Sequence, residues 1–479
     1  MVRGNGWGNE RVGRLAQQRT VSALSARVHS RWLDRAGSDS NVASGRRSNL
    51  SESNQLCKDD TLTLQSMGNS ERNPTAPPTE HTTSTPLGHL EARYWPADPT
   101  APPGGQRGGA FNVFVPDAIA RREFTLDGEA IAAVVEATKA LGQLNDTRPE
   151  LTSLAALARN LLRTESAASS RIEGVKISHR RLARAAYART RSRRGDNRAA
   201  EVLGNVEAME RAIELGTSGE PFSVADIQDI HRTLLRFTDD RDIAGVLRTK
   251  QSWIGGNDYH PVGATYVGPP HEQVPELMVD LCRFISRDDV AAVAQAAIAH
   301  AQFENIHPFA DGNGRAGRAL IYTVLRRRGE ITNYIPPISL VLVGEPKNYV
   351  GGLGAYSQGK LSTWCGRFAH ATARAASEAE RLAQQIEAVQ SKWLERLGEP
   401  RRDAAIREVI SALPAQPVID VPAAQQLTGK SHVAVGNALI QLEEAGILKK
   451  LNESKWGRVW ECTELLGLVD DFEKRVSTP

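Results

Sequence analysis

His307-Pro-Phe-Ala-Asp311-Gly-Asn-Gly-Arg315-Ala-Gly-Arg318 is the stretch whose reading organises the rest of this 479-residue chain. It holds an imidazole, a carboxylate, two glycines one residue apart and two arginines three apart. Helical residues three apart share a face, so Arg315 and Arg318 point the same way once a helix starts near Gly314. Upstream, Ala291 to Ile306 reads as an Ala-rich helix that must stop by His307, because Pro308 disfavours α geometry in the residue before it. Downstream, Arg315 to Arg328 reads as a second helix closed by Gly329. The expectation is helix, short loop, helix. A Gly-rich turn feeding a helix N-terminus is an anion site, and two arginines on its first turns suit phosphate. With a carboxylate that could hold magnesium and a His that could take a hydroxyl proton, the loop suits nucleotidyl or phosphoryl transfer.

Other loop chemistries fail on spacing. The Gly-x-x-x-x-Gly-Lys-Ser/Thr spacing of a P-loop is absent, and Gly429-Lys430-Ser431 has Ala424 where the first Gly belongs. Counted from Asp311, the fifth and twelfth positions of a calcium loop fall on Arg315 and Tyr322. His300 and His307 lack further ligands at zinc spacing. A net charge of +3 points to no class of partner, and the four cysteines, Cys57, Cys282, Cys365 and Cys462, show no metal spacing. Low cysteine usage fits a reducing compartment, and no apolar run is long enough to cross a bilayer. The expectation is a cytoplasmic chain with no membrane role.

Residues 1–109, rich in Ser, Thr, Asn, Pro, Gly and Arg, have the composition of a disordered segment. Through Arg35 they have the composition of a transit peptide, but an over-extended reading frame with a start near Met67 is the favoured expectation for the same residues. Order is expected from about Phe111. Helical periodicity follows over Glu129–Gln143, Leu151–Thr164, Ala199–Leu215 and Ser223–Leu235, with Ser223 as a cap. Arg189–Arg198 reads as a basic connector. Trp253–Val267 reads as a short hairpin around a Gly/Asn turn, and Pro275–Ile285 as a helix. Tyr349–Thr372 is helical again, and Ser377–Leu397 is amphipathic with Leu382, Ile386, Val389, Trp393 and Leu397 on one stripe, a spacing that offers a homodimer seam. Residues 403–479 show short helix, turn, longer helix and two strands, the pattern of a winged helix-turn-helix. Eight Lys and Arg against eleven Asp and Glu make that unit net −3, short of the positive footprint of a DNA reader. DNA and protein contact both stay open as its role.

The whole central string resembles the signature of the Fic family, His-x-Phe-x-Asp/Glu-Gly-Asn-Gly-Arg-x-x-Arg. Every specified position is met, by His307, Phe309, Asp311, Gly312, Asn313, Gly314, Arg315 and Arg318. The likeness extends through Ala299–Ile306, Trp253-Ile-Gly-Gly256, Gly245-Val-Leu-Arg248 and Pro275–Met278, over roughly Phe111 to Leu397. It implies a mainly α fold, a helical bundle with one β-hairpin flap, and transfer of AMP from ATP to a protein hydroxyl. By the same resemblance His307 is the base and Asp311 holds Mg²⁺. Gly312, Asn313 and Gly314 form the anion cradle, Arg315 and Arg318 clamp the outer phosphates, and Phe309 anchors the loop. The hairpin at 253–267 is implied to dock the target segment. A branch with Lys for the last cradle Gly transfers phosphate, so Gly314 favours adenylylation, although members moving other phosphate-containing groups share the motif.

Ser169-Ser-Arg-Ile-Glu173-Gly174 matches the inhibitory pattern Ser/Thr-x-x-x-Glu-Gly/Asn of one subclass, which implies that Glu173 pairs with Arg318 where a γ-phosphate would lie. The resulting division is 1–109 extension, 110–225 N-terminal helical region, 226–376 catalytic core, 377–402 linker helix and 403–479 winged-helix-like unit. Two functions are open at this point. One is a magnesium-dependent, autoinhibited protein adenylyltransferase. The other is a DNA-binding transcriptional regulator with a nucleotide-sensing core.

Overall fold

The computed structural model describes residues 85–190, 197–452 and 457–478. The chain begins with a hairpin, β1 (Gly88–Trp95) and β2 (Gly109–Pro116), paired antiparallel from Gly88↔Pro116 to Trp95↔Gly109. Five helices follow: α1 (Gly128–Asp146), α2 (Leu154–Ile172), α3 (His179–Thr190), α4 (Asn197–Leu215) and α5 (Val224–Leu235). Then come β3 (Trp253–Ile254) and β4 (Tyr266–Val267), α6 (Val274–Ile285), α7 (Ala292–Ile306), α8 (Asn313–Arg327), α9 (Ile338–Gly344), α10 (Pro346–Ser357) and α11 (Leu361–Arg396). The chain closes with α12 (Ala405–Ala412), β5 (Val418–Asp420), α13 (Val421–Thr428), α14 (His432–Glu444), β6 (Lys449–Lys450), β7 (Val459–Glu461) and α15 (Thr463–Val476). The fold is mainly helical, with three small antiparallel sheets.

Helix α7 is almost wholly buried, from Ala292 through Phe303 to Ile306, which its Ala-rich sequence allows: small side chains let neighbouring helices approach on every face. It pairs with α8, and the loop between them carries the central motif. Around this pair pack α1, α4, α5, α6 and the long α11, and one continuous apolar core runs from Leu87 through to Val476. Caps mark several starts: Asp127 accepts from Ala130 N–H, Ser153 from Ala156 N–H, and Ser223 and Asp226 form a capping box.

Several expected boundaries move. Residues 85–109, assigned to the extension, form part of an ordered hairpin. Its Val113 and Val115 pack with Val267 of the flap, and Trp95 meets Trp253 edge to face at 5.9 Å. Burial of this one face stabilises a segment whose composition alone argued against order. Residues 1–84, with the transit-peptide and alternative-start readings, lie outside the described residues, as do 191–196 of the basic connector. The proposed linker helix at 377–402 is not a separate element but the second half of the 36-residue α11. Its stripe is already covered, since Leu382, Ile386 and Trp393 are 0–1% exposed within this one chain, which removes the homodimer seam. Helices α3, α9 and α15 and strand β5 were not expected. Strand β7 is central in the sheet β5-β7-β6, so the short β5 pairs only with residues 39 to 43 positions away.

Candidate active site

The loop is set by two left-handed backbone positions and by side chains that bond its peptide groups. His307 ends α7 in the left-handed region, with φ of 48°. Few non-Gly residues sit there, and this one is held by its surroundings. Arg248, 6% exposed, donates from Nε to the His307 carbonyl at 2.8 Å and from its other nitrogens to the carbonyls of Lys250, Pro269 and Ile306. The backbone N–H of Arg248 also donates to Pro308 O at 2.9 Å. One guanidinium thus ties the base of the flap to the peptide of His307. Burial pulls its pKa down to about 10, still far enough above neutrality to keep it charged.

Phe309 is fully buried and stacks on His231 at 3.7 Å with planes 1° apart. His231 Nδ1 accepts from Gly245 N–H at 2.9 Å, which leaves Nε2 to donate to the Asp311 carbonyl at 2.8 Å. Burial holds this imidazole down to about pKa 4, so it stays neutral and its tautomer is fixed by its two partners. Asn313 closes the turn: its Oδ1 accepts from Phe309 N–H at 2.8 Å and its Nδ2 donates to Phe309 O at 2.9 Å. The side chain of Asn313 is therefore a staple, and what it offers an anion is its backbone N–H at the start of α8. Gly312 precedes it with φ of 75°, a conformation that suits Gly.

Arg315 and Arg318 lie on one face of α8, 4% and 0% exposed. Arg318 donates from Nη2 to Glu173 Oε1 at 2.7 Å, from Nε to Ser169 Oγ at 2.9 Å and from Nη2 to Ser169 O at 3.0 Å. Burial works against its charge, but Glu173, with help from Tyr349 and Glu304, raises its pKa above the ordinary arginine value. Glu173 caps α2, so the helix end brings the carboxylate onto the cradle. A Cβ added at Gly314 would land inside that carboxylate. Arg315 donates from Nη1 to Glu201 of α4 at 2.6 Å and more weakly, at 3.4 Å, to Asp311. Sequence reasoning missed Glu201, since nothing in a single sequence aligns α4 with α8.

Buried titratable groups lie behind this face. Glu165, wholly buried, accepts from Ser339 N–H at 2.8 Å and from its hydroxyl, and burial raises its pKa to about 7. Burial, followed by Arg318, lowers His300 to about 3, and its Nε2 lies 2.8 Å from Tyr349 Oη. On the open side, burial and then Asp311 raise Asp240 to about 6. Among the described residues no group of three or more His, Cys, Asp or Glu could hold a metal by itself. Any divalent cation would take the Asp311 carboxylate together with oxygens brought by a substrate, the usual manner of Mg²⁺. Asp311 is partly exposed and only weakly engaged by Arg315, which fits that demand.

The structure therefore brings His307, Asp311, the cradle residues, Arg315, Arg318 and Glu173 to one place. The hairpin also forms, with Trp253↔Val267 and Ile254↔Tyr266 paired. It is only two residues long on each arm, and Trp253 Nε1 donates to Asn257 O at 2.8 Å to hold the turn.

Two family models match the chain: the Fic/DOC family over residues 221–325 and the Fic/DOC family N-terminal region over 131–214. Protein adenylyltransferase fic-1 of Caenorhabditis briggsae is 36% identical over 118 residues, 25% of this chain and 21% of that protein. Protein adenylyltransferase Fic of Drosophila erecta is 30% identical over 139 residues, 28% of this chain and 26% of that protein. The match thus spans 21–26% of the length of these curated relatives. A crystal structure of a Fic family protein from Desulfovibrio desulfuricans superposes with a TM-score of 0.43 at 22% identity, covering 71% of this chain and 97% of that one.

Proposed function

We propose that this chain, which belongs to the Fic/DOC family through residues 131–214 and 221–325, is a protein adenylyltransferase. AMP passes from ATP to a Ser, Thr or Tyr hydroxyl of a target protein, and of the chain itself. His307 takes the hydroxyl proton as that oxygen bonds to the α-phosphorus and the bond to the pyrophosphate oxygen breaks. Imidazole suits proton uptake near neutral pH. The backbone N–H groups from Gly312 to Gly314 cradle the phosphates, and Arg315 and Arg318 neutralise the outer ones. Mg²⁺ would supply charge neutralisation between Asp311 and the phosphates. The flap at 253–267 is read as the dock for the target segment by main-chain pairing.

The observation that most supports this reading is the state of the two arginines. Each is buried on the cradle face and each is paired with a carboxylate from outside the loop, Glu173 or Glu201. Cations placed so are built for an anionic substrate, because a buried guanidinium otherwise carries a large desolvation cost. The same pairing makes the free enzyme autoinhibited, with Glu173 in the way of a γ-phosphate.

The C-terminal unit is read as winged-helix-like from α12–α14 and the sheet β5-β7-β6. A DNA role gains no support from it: the exposed residues of α14 include His432, Val433, Asn437, Ile440, Gln441 and Glu444, with no Lys or Arg. No helix among the described residues is long and apolar enough to cross a membrane. The cytoplasm is the compartment we infer, from low cysteine usage and the free, buried thiols of Cys282, Cys365 and Cys462.

Self-labelling of the full chain with α-labelled and γ-labelled ATP tests the reading. Glu173→Gly is expected to gain label from the α-labelled nucleotide only, and His307→Ala in that background to lose it. Label arriving from the γ position would replace adenylylation with phosphorylation. No gain in Glu173→Gly would sink the inhibitory role.

A further inference from the structure

The turn that carries Glu173 touches Arg318 on one side and the C-terminal unit on the other. Arg171, two residues before Glu173, and His179, the first residue of α3, converge on one carboxylate, Glu473 of α15. The distances are 3.6 Å from Arg171 Nη2 to Oε2 and 2.7 Å from His179 Nε2 to Oε1. Glu473 is only 16% exposed at its side chain and His179 9%. Between Arg171 and His179 lies the reversal at Gly174, where φ is 85°. A single acid therefore bridges both ends of the turn.

Other contacts extend the same seam. Glu461 of β7, 2% exposed, meets Arg180 Nε at 3.2 Å and Arg184 Nε at 2.8 Å. Tyr187 Oη donates to Asp420 Oδ2 at 2.9 Å, and Asn160 Nδ2 donates to Pro414 O at 3.2 Å. Ala183 packs with Val418 and Leu466. Helix α3 thus rides on the C-terminal sheet and on α15, while the end of α2 reaches the anion site. A displacement of α15 pulls on both ends of the turn at once. Packed interfaces of this kind switch between discrete arrangements rather than deforming smoothly.

We propose that Glu473 is a positioning residue that holds the Glu173 turn against Arg318, so that the C-terminal unit sets how often the anion site opens. This rests on the reading of Glu173 as the inhibitory carboxylate. It assigns the C-terminal unit a regulatory task inside the chain.

Full-length Glu473→Gln tests it, with Arg171→Met as a second route to the same lost contact. Hydrogen–deuterium exchange over residues 166–182 is expected to quicken at least threefold in both variants, a readout independent of catalysis. ATP-dependent self-labelling is expected to rise severalfold above wild type, with a lower KM for ATP. Most tellingly, Glu473→Gln should add nothing in the Glu173→Gly background, because both changes act on one step. Unchanged exchange at 166–182 in both variants overturns the proposal whatever the labelling shows. An additive rise in the double variant overturns it too, since Glu473 would then act elsewhere. Should Glu173→Gly itself gain no label, the inhibitory reading of Glu173 falls, and exchange alone decides the coupling.

Discussion

Arg318 Nη2 and Glu173 Oε1 are 2.7 Å apart, and the guanidinium that makes this bond has no exposed surface. Removing one partner of such a pair strands the other, at a cost of about 3–5 kcal/mol. Glu173→Gln is therefore expected to lower the melting temperature of the free protein and to raise its affinity for ATP. If the pair opposes ATP by a net ~2–3 kcal/mol, the gain is roughly 30- to 150-fold. Calorimetric titration with a non-hydrolysable analogue and thermal melts with and without it check both signs, and the analogue should return most of the lost stability.

Arg315 has its own carboxylate partner, Glu201, whose side chain is 27% exposed. A pair open to water on one side is worth about 1 kcal/mol. Glu201→Gln should then lower the KM for ATP by about fivefold, measured in the Glu173→Gly background so that Arg318 is already released. A KM that rises instead would show that Glu201 holds Arg315 in its working orientation.

Arg248 serves four carbonyls with a planar fork, which a lysine ammonium cannot span. Arg248→Lys keeps the charge and loses the geometry. The expected result is a drop in kcat of at least about tenfold with little change in KM for ATP, since the His307 peptide is what loosens.

Glu165 supplies a pH signature. Its folded pKa, about 7, is raised above the ordinary 4.5, so the folded state binds the proton more tightly than the unfolded chain. Its contribution to stability is greatest below about pH 4.5 and is lost as pH rises towards about 7, by an amount on the order of 3 kcal/mol. Urea unfolding at pH 5 and pH 8 should show a smaller fall for Glu165→Gln than for wild type. An equal fall in both would mean that Glu165 is ionised throughout.

The outward face of α14 carries no cation, so the full chain should bind duplex DNA no more tightly than the general ~10⁻⁴–10⁻⁶ M background at physiological salt. Fluorescence anisotropy over a salt series measures this. Tight binding with a steep salt slope would return the regulator reading.

Much of the site was legible because it is local. In His307–Arg318 the loop, the helix start and the shared face of the arginines follow from Pro308, the glycines and the spacing of three. Glu173 was legible only through resemblance, since no spacing rule places residue 173 against residue 318. Helix α7 and the Ser223 cap were likewise read from periodicity and capping chemistry. By contrast, β1 looked disordered because its composition is polar, and order came from Trp95 against Trp253 and from Val113 and Val115 against the flap. The seam on α11 looked available to a second copy until Leu382 and Trp393 proved to be buried within the chain.

By itself, then, the sequence determined the chemistry held within one turn and two helix ends: an imidazole, a carboxylate, an anion cradle and two arginines on one face. Only the tertiary structure decided what those groups meet. Glu201 on Arg315, His231 under Phe309 and Glu473 behind the Glu173 turn join positions more than 70 residues apart, and Arg248 reaches His307 across 59. Such contacts arise from how helices pack around a shared core, and helix packing depends on whole buried faces rather than on any short string.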